Sequence, residues 1–349
     1  MTELPPLLRD RAGLAQRFAE GLERMLAQHD GLGVFILALA NARHEPAVDE
    51  RLRRPLETRF AALRDQVRAT LAAGRTLPDA ADDQEVFLRL ALLGLEALPP
   101  TRYRQAGPWR LQYNLLRALR PPRMAHVRVS TLHKPFDPDG FHFDRPFLRK
   151  EILWEGELLG RAARLLYNKF PFAPLHGLLV LEPEAHHPQY LREADHHLAW
   201  RLCRAAGEGM PGFGLGYNSH GAYASVNHQH FQSFALEADE RLPVEAPCWR
   251  HNGGDADYPL DCRRLTDPEA AWEAIEHLHG EGRAYNLLYR PGILYLLPRR
   301  FQGSYRHAAW TGGFAWSETS GAITTFNADD FASLDAAAIE AELGKLRQS

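Results

Sequence analysis

The chain reads as an α+β protein: a mainly helical region, residues 1–100, precedes an antiparallel sheet with flanking helices over 101–349. Three observations predict this. Residues 7–28, 47–73 and 82–98 carry apolar side chains at helical spacing among Leu, Ala, Arg and Glu. From Trp109 the texture changes to short β-rich runs punctuated by Pro, Gly and Asp. Two segments, within about 150–240 and 265–330, then resemble each other, which predicts a duplicated hairpin-plus-helix unit with a degenerate second copy.

The helical region follows from its local chemistry. Asp82-Asp83-Gln-Glu85 places carboxylates in a first turn leading into Val86–Leu98, and Pro99-Pro100 is expected to end that helix. These helices are expected to pack on the catalytic unit rather than form a regulatory module. Trp109–Asn114 alternates as a strand, and Arg117, Arg120 and Arg123 follow around Pro121-Pro122, with Arg117 the candidate to face a phosphate. His126–Leu132 is expected to be another strand, and His133–Gly140 a turn-rich connection. Leu165–Pro183 gives strand, turn, strand, and Ala284–Pro298 gives the same with a shorter turn. A helix follows the first hairpin (189–207) and another precedes the second (268–282). Gly313–Ile323 is expected to be the late strand of the second unit, without histidine but with Glu318.

Composition excludes several classes. A chain of 349 residues with 45% hydrophobic and 24% charged residues has the ordinary balance of a globular protein with a sizeable core. A formal net charge of −3 offers no basic field, so nucleic acid is not an expected partner. Three cysteines, Cys203, Cys248 and Cys262, make neither a disulfide framework nor a Cys-x-x-Cys metal site. The longest apolar run, Leu32–Ala40, falls short of the roughly 20 residues that span a bilayer. With no signal peptide evident, a cytoplasmic location away from membranes is expected.

The chemistry concentrates between Gly214 and Gln232. His228, His230 and Gln232 alternate, so on a strand they share one face. The Gly/Asn/Ser-rich run before them is expected to be a loop of exposed backbone N–H groups suited to an anion. A neutral imidazole attacks phosphorus near pH 7 if its other nitrogen is tied by a hydrogen bond, and neutral donors must hold the non-bridging oxygens. His230, flanked by the other two, is the best nucleophile candidate. A metal site is disfavoured because Gln is a poor ligand and no carboxylate is near in sequence. A structural strand that happens to carry two histidines is the bland alternative. The glycines are no dinucleotide fingerprint, since they follow a helix and open a strand. His186-His187 and His196-His197 are expected to be solvated, and His176 either faces the site or fills its hairpin. Trp109, Trp154 and Trp249 are expected in the core.

His228-Gln-His-Phe-Gln232 resembles the His-x-His-x-Gln signature of the transferase branch of the histidine triad (HIT-like) superfamily, which includes galactose-1-phosphate uridylyltransferases and diadenosine tetraphosphate phosphorylases. Gly216–Gln232 is more specifically similar to the GDP-hexose phosphorylases. So are Gln112–Arg117, Lys134–Asp137, Asn168 with Pro171, Leu178–Pro183, Leu242–Glu245, Tyr285–Leu288, Leu296–Pro298 and Trp316–Gly321. The resemblance implies a HIT-like sheet and a covalent guanylyl-histidine on His230, which phosphate resolves to GDP and a hexose 1-phosphate. It also implies that His228 and Gln232 assist, and that Asn168, Lys169, Asn218, Ser219, Gly221, Ser225, Gln112, Arg117 and Glu318 line the substrate site. Expected ligands are a nucleotide-sugar or dinucleoside polyphosphate and inorganic phosphate, with no cofactor and with a homodimer left open. Asn168-Lys-Phe-Pro171 looks closer to the diadenosine tetraphosphate phosphorylases, where Lys169 would either meet a longer polyphosphate or stay on the surface.

Overall fold

Alternate residues of the central strands face two different apolar layers, and that alternation builds the molecule. The computed structural model describes residues 4–120 and 127–347. Four helices come first: α1 (Arg11–Gln28), α2 (Leu32–Ala42), α3 (Pro46–Ala72) and α4 (Ala81–Leu93). The Asp10 carboxylate caps α1 by accepting from the Gly13 N–H at 2.7 Å. The apolar run at 32–40 is a helix buried all round, with Val34, Ile36, Leu37 and Leu39 at 0% exposure. Burying each such side chain contributes roughly 1.5–3 kcal/mol relative to leaving it in water. Asp82 and Asp83 occupy the first turn of α4 as predicted, but the helix stops at Leu93 instead of running to the prolines. Gly94 takes φ +86°, a conformation that Cβ disfavours, and turns the chain.

Strands β1 (Arg102–Ala106) and β2 (Trp109–Tyr113) form a hairpin followed by the single turn α5 (Leu115–Ala118). Val127–Leu132 is not a strand, and His126 and Arg123 lie outside the described residues. The main sheet combines β3 (Ile152–Leu158), β4 (Arg161–Tyr167), β5 (Gly177–Leu181), β6 (Phe213–Asn218), β7 (Phe231–Ala235), β8 (Arg263–Leu265), β9 (Tyr285–Arg290) and β10 (Ile293–Pro298). Its order is β3-β4-β5-β7-β6-β9-β10-β8, and every pairing is antiparallel. Helices α6 (Glu193–Gly207) and α7 (Pro268–Gly280) sit where the duplicated pattern predicts, and the two hairpins β4–β5 and β9–β10 join one continuous sheet.

The end of the second unit departs from expectation. Gly313–Ile323 is not its late strand: α8 (Trp316–Thr319) is a short helix, and β11 (Ala322–Thr325) pairs parallel with β2 in a separate three-stranded sheet. Helices α9 (Ala328–Ser333) and α10 (Ala336–Gly344) follow.

One core joins α1–α4, α6 and α7 to one face of the main sheet through Leu165, Leu179, Leu215, Tyr217, Phe231 and Leu287. The helical region therefore shares its core with the sheet. A second core joins the opposite face, through Phe234, Leu288 and Leu297, to the small sheet and the C-terminal helices. Trp109 and Trp249 are core residues, while Trp154 is half-buried against the first core. Among the described residues, no helix is long and apolar enough to cross a membrane.

Candidate active site

The site forms where β7 enters the middle of the main sheet. The Gly214–Asn218 run is buried strand β6, not an exposed loop. A Cβ at Gly216 would lie 2.1 Å from the Trp316 ring, and one at Gly214 2.4 Å from Phe234. These glycines let aromatic rings lie flat on the sheet. Only Gln232 of the expected trio is within the strand, because β7 begins at Phe231 and His228 and His230 lie in the segment leading into it.

Hydrogen bonds set both tautomers. His230 Nδ1 donates to the His228 carbonyl at 2.8 Å, since a carbonyl can only accept. Its Nε2 therefore carries the lone pair, with no hydrogen bond to it among the described residues. His228 Nδ1 accepts the Phe143 N–H at 3.1 Å, so its proton is on Nε2, a buried atom without a partner among the described residues. Burial lowers the His230 pKa to about 4 and the His228 pKa to about 3, the latter helped by the neighbouring His230, His186 and His142. Both rings are neutral at pH 7. Gln232 Oε1 accepts the Trp316 indole N–H at 2.7 Å, which leaves its NH₂ as the donor end of the carboxamide.

One wall continues from Gln232. His176 is fully buried beside it, accepts the Phe172 N–H at 3.2 Å, and has its pKa pushed well down by burial. Asn168 Nδ2 lies 3.3 Å from the same ring, and its Oδ1 accepts the Phe170 N–H at 3.1 Å. Gln112 donates to the Phe172 carbonyl and Thr324 Oγ1, both at 2.9 Å. The Arg117 guanidinium lies 4.8 Å from the Phe172 ring centroid and donates to the Phe170 carbonyl at 2.7 Å, and its Nε has no partner among the described residues. Glu318 faces it from α8; burial raises its carboxyl pKa, and the Arg117 charge opposes that rise.

Other predicted contacts are placed differently. The Lys169 ammonium meets the Asp83 carboxylate of α4 at 2.5 Å. Asn218 Oδ1 is occupied by Asn286 Nδ2 at 2.7 Å and the Trp316 N–H at 2.8 Å. Ser219 Oγ accepts the Tyr285 N–H at 2.9 Å and is buried. Gly221 turns the chain at φ +84° against Phe301, and Ser225 is exposed.

Three features escaped the sequence reading. His186 is not simply solvated: it stacks on Phe136 at 4.8 Å and, with His142, surrounds His228 with ring centroids 5.1–6.0 Å apart. His196 is buried between Tyr289 and the Pro268 carbonyl. Gln189 grips the His230 backbone. The Lys134–Asp137 run contained the Phe136 signal, but a lone Phe says nothing about which ring it will cover. The only metal-competent spacing among the described residues is Glu193, His197 and Glu269, on α6 and α7 and apart from the His228–His230 pair.

Residues 108–234 match the family model described as GDPGP1-like, N-terminal domain. GDP-D-glucose phosphorylase 1 of Danio rerio is 32% identical over 136 residues, 39% of this chain and 38% of its own length. The Homo sapiens protein of that name is 35% identical over 138 residues, 36% of this chain and 32% of its own. The chain thus spans about a third of the length of these relatives. The crystal structure of yeast Ap4A phosphorylase Apa2 superposes with a TM-score of 0.50 at 15% identity, covering 71% of this chain and 88% of that one. That likeness establishes the HIT-like α+β fold. Residues 108–234, the segment that holds Gln112, Asn168 and the His228–Gln232 motif, are thus similar to a GDPGP1-like N-terminal domain.

Proposed function

We propose that the protein is a nucleotidyltransferase that phosphorolyses a GDP-sugar to GDP and a hexose 1-phosphate. The observation that carries this reading is the tautomer at His230: Nδ1–H held by the His228 carbonyl, Nε2 left with its lone pair. Similarity to GDP-D-glucose phosphorylases supports the choice of a GDP-sugar as substrate.

In the first half-reaction His230 Nε2 attacks the α-phosphorus. An N–P bond forms, the bond from that phosphorus to the bridging oxygen breaks, and hexose 1-phosphate leaves with the electron pair. In the second, an oxygen of inorganic phosphate attacks the same phosphorus, the N–P bond breaks, and GDP is released as the ring regains its lone pair. The His228 Nε2–H and the Gln232 amide donate to the non-bridging oxygens as charge builds, and Asn168 and Arg117 line the approach. In this reading residues 101–349 hold the catalytic unit and the helical region buttresses it.

Intact mass measured after mixing with GDP-glucose, ADP-glucose, UDP-glucose or diadenosine tetraphosphate tests the scheme. A guanylyl adduct is expected from GDP-glucose, cleared by phosphate with release of GDP. His230→Ala should abolish the adduct and lower turnover by about 10³-fold or more. An adduct that persists in that variant refutes the nucleophile. An adenylyl adduct from diadenosine tetraphosphate, with none from GDP-glucose, replaces the substrate; clearance indifferent to phosphate makes water the acceptor.

A further inference from the structure

We infer that Gln189 is the positioning residue of the nucleophile: its carboxamide stands in for a missing strand neighbour and holds His230 in register with its reactive nitrogen outward. The inference rests on the reading of His230 as nucleophile and adds the device that aims it.

The sheet ladders stop just short of His230. The last β6–β7 pair is Gly216↔Gln232, and the last β5–β7 pair is Leu179↔Phe231. The His230 backbone N–H and carbonyl therefore enter a buried region with no strand partner, where unpaired polar groups are costly. Gln189 supplies both. Its Oε1 accepts the His230 N–H at 2.9 Å, and its Nε2 donates to the Asn218 carbonyl at 2.8 Å and the His230 carbonyl at 3.3 Å. The side chain is 1% exposed. A carboxamide has the donor–acceptor pattern of a peptide group, so it can bridge the gap between diverging strands as a peptide would.

The surrounding chain holds Gln189 to this task. Its own N–H donates to Asn227 Oδ1 at 3.1 Å, and the His187 carbonyl accepts the Gln229 N–H at 2.8 Å. Residues 187–189 thus run beside 227–230 as a short surrogate strand. Through it the His228 carbonyl, which selects the His230 tautomer, is kept at 2.8 Å from Nδ1. Without Gln189 the backbone at 230 can rotate, and the ring loses both its fixed tautomer and its direction.

Two variants and two readouts test this. Gln189→Met keeps the volume and removes the hydrogen bonds; it should slow guanylyl-adduct formation from GDP-glucose by about 10–100-fold while KM changes less than threefold. Gln189→Glu keeps the acceptor, and its ionised carboxylate opposes two carbonyls; once protonated, it donates again. Its adduct rate should therefore climb as pH falls from 7.5 to 5.5, where the wild-type rate stays flat. Without any substrate, imidazole ¹⁵N shifts should give a single Nδ1–H tautomer at His230 in the wild type and a mixture in Gln189→Met. A single tautomer in Gln189→Met, or a Gln189→Glu rate that is flat with pH, overturns the proposal. So does a Gln189→Met adduct rate within threefold of wild type despite a lower melting temperature, which would make the residue merely structural. A wild type that forms no adduct yet shows the tautomer difference would instead remove the parent reading and leave the positioning role standing.

Discussion

At His230 one hydrogen bond decides which nitrogen keeps its lone pair, and burial decides down to what pH it stays unprotonated. Because desolvation holds its pKa at about 4, the ring is unprotonated far below the ordinary imidazole midpoint of about 6.5. Adduct formation should therefore stay level between pH 8 and 5. A stopped-flow pH series checks this, and an acid limb centred near 6.5 would show that the reacting imidazole is solvated. The motif itself was readable, since His-x-His-x-Gln is a matter of local spacing. The roles within it were not: Nδ1 of His228 meets Phe143, 85 residues away in sequence, and Gln232 meets Trp316, 84 away. No local pattern encodes such pairs. Lys169 is a further case, since the sequence left it open between a polyphosphate contact and the surface and gave no sign of its Asp83 partner.

That partner belongs to the scale of elements. Asp83 of α4 meets Lys169 in the turn after β4, and Asn41 of α2 donates to the Asn168 carbonyl at 3.0 Å. The helical region thus fixes the segment that brings Asn168 and His176 to the site. The Lys169 and Asp83 side chains are 25% and 16% exposed, so the pair is screened less than a surface ion pair. A double-mutant cycle with Lys169→Met and Asp83→Asn should give a coupling of about 1 kcal/mol in urea unfolding. Additive effects would mean that the contact contributes nothing. Helix positions were legible from periodicity, and Asp82-Asp83 marked a true first turn. The stop at Gly94 was overlooked because two prolines downstream look like the stronger break. Glycines at 214 and 216 lie in a strand where the sequence suggests a loop, since glycine marks close approach in a strand as well as a turn.

Over the whole molecule, burial of histidines links stability to pH. His228 falls to about 3, His230, His44 and His196 to about 4, and His176 well below its ordinary value, all chiefly through desolvation. In each case the unfolded chain takes up the proton first. Stability is fully present above about pH 6.5 and is lost as pH falls from there toward 4. Each such ring removes about 1.4 kcal/mol per pH unit inside that window. Urea midpoints should fall steeply between pH 7 and 5, and equal midpoints would show that these rings are not buried neutral. That His44 and His196 are buried was not readable from sequence, where histidine next to charged residues looks solvated.

The amino-acid sequence by itself determined the helical first hundred residues, the paired hairpins with their helices, and the order His228, His230, Gln232. Each depends on spacing along a single element, which backbone geometry translates directly into faces and turns. Only the tertiary structure decided that both hairpins complete one sheet, that Gly313–Ile323 leaves it, and that Lys169 is taken by Asp83. It also decided the two tautomers and brought Gln189, 41 residues from His230, to the point where the ladders end. Those outcomes depend on which buried donor meets which acceptor, and that is settled only when the layers close.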